Sequence, residues 1–313
     1  MTNLRIVFMG TPEFAVPALD MLLKEGYDVV AVVTQPDKPK GRGNKMAIPP
    51  VKEYAIEHGI DVLQPQKVKT EEFTDIIRGI NPDLLVTAAY GKILPKSVLD
   101  IPKYGCINVH GSLLPKYRGA APIQWSIIDG EKVTGITTMY TDVGMDTGDM
   151  LLKGEIMITE DMTAGELHDR LSVLGAEVLK ETLAKLKEGV LQRIPQQDSE
   201  ASYAAMMTKD TGLVDWTKSP KEIHNLVRGT NPWPGAYTYY NGEKMKIWVT
   251  SVVSESENKL KPGTICEVGK DGIIVACGIG KLNIKEVQFE SCRKMCVEDY
   301  ICGHKMDEGE ILG

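Results

Sequence analysis

No run in this 313-residue sequence approaches the roughly 20 consecutive apolar residues that cross a membrane as a helix, so a helical membrane protein is excluded and no membrane partner is expected. The N-terminal run Met1–Gly10 has neither a basic leader nor a small-residue cleavage site. It reads as a first strand rather than a signal peptide, and a cytoplasmic protein with six reduced cysteines is expected. Internal repeats and low-complexity tracts are missing too, which excludes a solenoid or a disordered chain. An excess of positive charge is also lacking. With 36 Lys and Arg against 43 Asp and Glu, the net charge is −7 and the pI near 5.4, which argues against a protein that coats nucleic acid. Basic character is local instead. Residues 38–52 hold Lys38, Lys40, Arg42, Lys45 and Lys52 with no Asp or Glu, and 209–313 is nearly neutral, with 14 basic and 15 acidic residues.

A chain of this length is too long for one ordinary domain, and two are expected. The first part alternates apolar runs with helical patterns. Strands are expected at Arg5–Met9, Asp28–Thr34, Asp61–Leu63, Asp83–Ala89, Gly105–Val109 and Thr134–Tyr140, with helices at Pro12–Glu25, Pro49–His58 and Glu71–Gly79, the last capped by Thr70. This order implies an α/β fold with a Rossmann-like, doubly wound, mostly parallel sheet. A long helix follows, with Thr163 and Glu166 as its capping box and Leu167, Leu171, Leu174 and Val178 as its apolar stripe. Residues 1–189 thus form one domain. The polar, aperiodic stretch 190–208 reads as a linker. In 209–313 a short helix at Pro220–Arg228 precedes five strands, Ala236–Tyr240, Lys246–Val253, Gly263–Val268, Ile273–Ala276 and Lys281–Glu290, which suggest a smaller OB-like β-barrel.

In doubly wound sheets ligands bind beyond the carboxyl ends of the strands, and the unusual residues of this chain lie there. Asn108 and His110, two apart on an extended segment, point to one side. Together they offer an oxyanion donor and a proton shuttle. Asp146 lies in the glycine-rich loop Asp142–Asp149, where it could orient an imidazole. Spacing alone leaves plainer explanations open: a turn asparagine beside a core histidine, or ordinary turn chemistry in which Asp142 or Asp149 serves as well as Asp146.

The stretch Asn108-Val-His-Gly-Ser-Leu-Leu-Pro-Lys-Tyr-Arg-Gly-Ala-Ala-Pro-Ile-Gln124 resembles the Asn-x-His-x-Ser-Leu-Leu-Pro signature of folate-dependent formyltransferases. Its Arg118–Gln124 extension is similar to the methionyl-tRNA formyltransferase family in particular. Phe8-Met-Gly-Thr-Pro-Glu-Phe-Ala15, Gln35-Pro-Asp-Lys-Pro-Lys-Gly-Arg-Gly43, Asp142–Asp149 and Asn231-Pro-Trp-Pro-Gly-Ala236 continue the match in order along the whole chain. The resemblance implies transfer of the formyl group of 10-formyltetrahydrofolate, as co-substrate, to the amino group of methionyl initiator tRNA. It makes Asn108, His110 and Asp146 the catalytic positions. It places folate against Tyr90-Gly91-Lys92-Ile93-Leu94, Ser112-Leu113-Leu114-Pro115 and Asp142-Val143-Gly144, with a cis peptide in the region of Leu114-Pro115. For the tRNA it implies Lys38, Lys40, Arg42, Lys45 and Lys209, with Arg42 at the centre of a Pro/Gly loop whose cations have no acidic neighbours. The chain departs from the family at Met206, where a lysine is usual.

Other readings weigh less. A formyltransferase acting on a small amine explains the Asn108–Pro115 core but not the Arg42 loop and appended barrel together. A non-catalytic RNA-binding module needs no Asn108, His110 and Asp146 at converging strand ends. A dehydrogenase lacks its spaced glycines after the first strand. Cys292, Cys296, Cys302 and His304 match no common zinc spacing, so no metal is expected. A monomer is expected.

Overall fold

The computed structural model describes residues 4–40, 45–257, 259–290 and 292–313. Two compact units emerge, and each draws on more than one stretch of chain.

The first unit comprises residues up to 122, 133–157 and 168–205. It is built on β1 (Arg5–Gly10), α1 (Val16–Lys24), β2 (Asp28–Val33), a hairpin of β3 (Lys38–Lys40) and β4 (Lys45–Ala47), α2 (Pro50–Glu57), β5 (Val62–Leu63) and α3 (Glu71–Ile80). Then come β6 (Leu84–Ala88), α4 (Lys96–Leu99), β7 (Cys106–His110), β8 (Arg118–Gly119), β9 (Val133–Tyr140), β10 (Met150–Met157), α6 (Ala164–Glu188, its residues up to 167 counting with the second unit) and β11 (Tyr203–Ala204), while α5 (Pro122–Ile128), all but its first residue, belongs to the second unit. Seven strands form one sheet in the order β10-β9-β7-β6-β1-β2-β5. Strands β5, β2, β1, β6 and β7 run parallel, β9 runs antiparallel to β7, and β10 runs antiparallel to β9. The expected Rossmann-like, mostly parallel sheet is present.

The sheet interior follows from the apolar runs. Every residue of β6 is buried, as befits a strand covered on both faces. Val7, Met9, Leu85 and Cys106 meet Phe73, Ile77 and Val98 in one core cluster; side chains of this size each contribute about 1.5–3 kcal/mol on full burial. Thr70 caps α3, accepting from the Phe73 amide at 3.3 Å. Helix α6 starts on the expected box, with Glu166 accepting from the Thr163 amide and Thr163 Oγ1 from that of Glu166. It lies close to the sheet because two positions carry no side chain: a Cβ on Gly154 would sit 2.6 Å from Val178 Cγ2, and one on Gly175 3.0 Å from Val109 Cγ1.

Two expectations need correction here. The Arg42 segment is not a loop throughout, since β3 and β4 pair across it, with Pro39 in the hairpin; prolines are tolerated at such edges. Its cations are not all unquenched either, because Lys52 reaches Asp37, just before the counted window, at 2.8 Å. Residues 190–208, read as a linker, are in large part fastened to the first unit. Ile194 exchanges backbone hydrogen bonds with Met150 at 2.8 and 2.9 Å, and β11 pairs parallel with β8. Backbone-mediated strapping of this kind requires no apolar period.

The second unit comprises 123–132, 158–167 and 206–313. Its own elements are α7 (Pro220–Gly229), β12 (Ala236–Tyr240), β13 (Glu243–Ser254), β14 (Ile265–Gly269), β15 (Gly272–Ala276), β16 (Lys281–Phe289), β17 (Met295–Cys296) and α8 (Val297–Ile301). The strands form an antiparallel sheet in the order β12-β13-β16-β15-β14, with β17 beside β16. Ile247, Ile273, Val275, Leu282, Ile284 and Val287 fill its core. Arg228, on α7, is buried and donates to Asn225 Oδ1 and to the carbonyls of Thr159 and Met162. Among the described residues no helix is long and apolar enough to cross a membrane.

Candidate active site

The carboxyl ends of β6 and β7 set the first two groups. In parallel register Thr87 stands beside Asn108, and Thr87 Oγ1 donates to Asn108 Oδ1 at 2.8 Å. The amide oxygen accepts this bond, which leaves the two Nδ2 hydrogens as the donors of the side chain. Two residues on, His110 is 5% exposed. Its Nε2 lies 2.9 Å from the carbonyl oxygen of Tyr117. A carbonyl can only accept, so Nε2 carries the hydrogen and, in the neutral ring, Nδ1 is the free base.

Of the three loop carboxylates, only Asp146 turns to His110. Asp149 pairs with Arg193 Nε at 2.8 Å, and exposed Asp142 accepts from the Val143 amide. Asp146 Oδ2 stands 3.7 Å from His110 Nδ1, beyond a direct hydrogen bond. It is fixed by the Gly119 amide, which donates to Oδ2 at 2.9 Å. Asp146 itself has φ +53°, an uncommon conformation for a side-chain-bearing residue. The turn beside it needs Gly148, whose Cβ would fall 1.8 Å from the Tyr140 carbonyl oxygen.

The folate positions expected from the sequence differ in their burial and partners. Tyr90 and Leu94 are buried in the core cluster of the sheet, and burial pushes the Tyr90 phenol up to about 12. The Tyr90 carbonyl is already taken by Thr11 Oγ1 and Gln35 Nε2. Gly91 has φ +78°. Ile93 is 49% exposed. Lys92 Nζ donates to the carbonyls of Pro65 and Gln66, and burial, aided by the charge of Lys38, lowers its pKa. An open groove of about 420 Å³ runs along Lys67, Val68, Lys69, Lys92 and Ile93. Ser112 Oγ donates to the Lys116 carbonyl, Leu114 is fully buried, and Leu114-Pro115 is cis as expected. Leu113 and Pro115 are half-buried, as is Gly144, while Val143 is exposed. Thr137 ties this loop down, donating to the Ser112 carbonyl and accepting from the Leu114 amide.

Over this geometry, the formyl transferase family matches residues 4–183 and its C-terminal domain matches 206–305. A methionyl-tRNA formyltransferase of Acetivibrio thermocellus is 70% identical over 310 residues, covering 99% of this chain and 100% of that one. One from Ruminiclostridium cellulolyticum is 64% identical, covering 99% and 100%. The chain belongs to the methionyl-tRNA formyltransferase family. Its fold is also that of an N-formyltransferase from Helicobacter canadensis, crystallised with folinic acid and dTDP-3-aminofucose, at TM-score 0.67 and 20% identity over 90% of this chain and 98% of that one.

The expected tRNA residues are seen in part. Lys38 is exposed and donates to Gln35 Oε1. Lys40 and Lys45 lie on β3 and β4, and Arg42 falls outside the described residues. Lys209 is exposed and belongs to the second unit. Among the described residues no group of three or more His, Cys, Asp or Glu is placed to hold a metal. The sequence reading missed Thr87, Tyr117 and Gly119, which orient the three central side chains. The signal for Thr87 was its polarity inside an otherwise apolar strand.

Proposed function

We propose that the chain transfers the formyl group of 10-formyltetrahydrofolate to the α-amino group of methionyl initiator tRNA, preparing it for translation initiation. The observation that carries this is the arrangement of the Asn108 amide, its oxygen held by Thr87, two residues from a histidine whose Nδ1 is its free base. In the transfer, the amine nitrogen forms a bond to the formyl carbon and the bond from that carbon to N10 of the folate breaks. Asn108 Nδ2 donates to the oxygen that becomes negative in between. His110 Nδ1 takes the proton leaving the amine and returns it to N10, and Asp146 stabilises the ring while it is charged. The products are the formylated aminoacyl-tRNA and tetrahydrofolate.

In this reading residues 90–94, 112–115 and 142–144 hold the folate, Ile93 and Val143 by apolar contact and the loop backbones by hydrogen bonds. The groove along Lys67, Lys69 and Lys92 suits the carboxylates at the glutamate end of a folate. Residues 1–189 carry the catalysis, 190–208 join the parts, and 209–313 act as an OB-like tRNA-binding domain. The long β13 supports the OB-like reading, since its three register shifts give the bends such a strand needs. Lys38, Lys40, Arg42, Lys45 and Lys209 contact the RNA. Six free cysteines fit a cytoplasmic setting. Formyl transfer to charged initiator tRNA, with charged elongator methionine tRNA as control, tests the proposal. Folate binding without transfer to either would point to a small-amine acceptor.

A further inference from the structure

Gln196 lies in the polar stretch after α6 and uses both ends of its amide on groups that flank the site. Its Nε2 donates to two carbonyls of the glycine-rich loop, Asp146 and Gly148, each at 2.8 Å. Its Oε1 accepts from Arg118 Nε at 3.0 Å. Arg118 is 1% exposed, and its Nη2 also reaches Asp198 at 2.9 Å. The amide orientation is therefore determined: flipped, its oxygen would face two carbonyls and its NH2 a guanidinium, with every bond lost.

The same stretch holds the other half of the pair. Ser202 Oγ accepts from the Tyr117 amide at 2.9 Å, and the Ser202 carbonyl accepts from the Arg118 amide at 2.8 Å. Tyr117, with φ +61°, presents the carbonyl that fixes His110. Next in the chain, Gly119 presents the amide that fixes the Asp146 carboxylate. Its Cβ would fall 2.7 Å from the Ala204 carbonyl oxygen, so the strap and this turn lie against each other.

We propose that residues 196–204 form the positioning element of the His110–Asp146 pair, and that Gln196 is its specific contact, a positioning residue that sets where the Asp146 carboxylate stands. Two unusual backbone conformations, at Asp146 and Tyr117, are held from outside the loops that contain them, which is how such conformations persist. An error of about 1 Å in placing a reacting group costs up to about a hundredfold in rate, so the strap acts on turnover while touching neither substrate.

The inference rests on the proposed catalytic role of Asp146, and the test separates the two. Gln196→Glu keeps an acceptor for Arg118 but puts an oxygen against the carbonyls of Asp146 and Gly148. Gln196→Met keeps the bulk and removes every bond. In the full-length enzyme, both are expected to lower kcat by about tenfold or more, with KM for folate and for charged tRNA unchanged. In an Asp146→Asn background, Gln196→Glu is expected to cost nothing further, since both changes act through one carboxylate. Parental kcat in Gln196→Glu, or losses that multiply in the double variant, overturn the inference. Low Tm and lost folate binding in both Gln196 variants also overturn it, because Gln196 would then hold the fold rather than the pair. Parental turnover in Asp146→Asn alone would instead sink the catalytic reading of Asp146.

Discussion

His110 Nε2 and the Tyr117 carbonyl oxygen are 2.9 Å apart, and this contact decides which nitrogen of the ring is available for proton transfer. Without it either tautomer could face the cleft. With it, Nδ1 is presented toward Asp146, and the base and the group that steadies its charge lie on one side.

Asn108→Ala is expected to lower turnover at least about a hundredfold in a folded protein, the usual effect of deleting an oxyanion donor. Thr87→Val should cost less, on the order of tenfold, since the amide stays but is free to turn its oxygen to the cleft. Steady-state kinetics with near-parental kcat for Asn108→Ala would remove it from the catalytic set.

Asp146→Ala is likewise expected to fall at least about a hundredfold in turnover while circular dichroism and Tm stay near the parent. An equally active Asp146→Ala would leave His110 working without a carboxylate partner.

Two substrates should separate along the basic residues. Arg42→Ala is expected to raise KM for the charged tRNA more than KM for folate, and equal effects would refute its RNA role. Joint replacement of Lys67 and Lys69 by Ala is expected to do the reverse, raising KM for folate with kcat unchanged. A parental folate KM would remove the groove from the site.

Thiol labelling reads the fold. Cys296 and Cys302 are exposed, whereas Cys106 and Cys277 are buried. Burial pushes their thiols up to about 11 and about 12 respectively. A disulfide reagent at neutral pH should modify Cys296 and Cys302 promptly, and Cys106 and Cys277 only after denaturation. Prompt labelling of Cys106 in the native protein would contradict the buried β7.

In the second unit, Ser219 and Glu222 close a capping box at the start of α7. The Ser219 hydroxyl, with its backbone amide, holds the Glu222 carboxyl below its ordinary 4.5. A carboxyl lowered in the folded state stabilises above its unfolded pKa, and that contribution is lost as pH falls through the folded value. Ser219→Ala should therefore cost about 1 kcal/mol at neutral pH. The gap to the parent should narrow on acidification, modestly because Glu222 is largely exposed. A gap that widens in acid would count against the box.

Strands buried on both faces were legible as continuous apolar runs, and Ala236–Tyr240 falls on β12 residue for residue. Strand β10 was not, because Lys153, Gly154 and Glu155 interrupt it and its outer half alternates with solvent. Helix α5 is short, and it lay hidden inside a stretch read for its motif. In the site, Asn108 and His110 share one strand and were visible through its period of two. Their supports were not: Thr87 meets Asn108 across 21 residues, Gly119 meets Asp146 across 27, and Gln196 meets Asp146 across 50. Contacts at those separations exist only once the sheet and its loops have formed.

The second unit is assembled from pieces made at different times. Residues 123–132 and 158–167 leave the ribosome before any of 206–313, the bulk of the unit they join. The buried guanidinium of Arg228 finds two of its acceptors, Thr159 and Met162, in the earlier piece. Vectorial synthesis thus cannot complete the second unit until the chain is almost finished, and a gene fragment beginning at 206 would encode Arg228 without those two carbonyls. The smallest portion that could be transplanted intact is discontinuous in the gene.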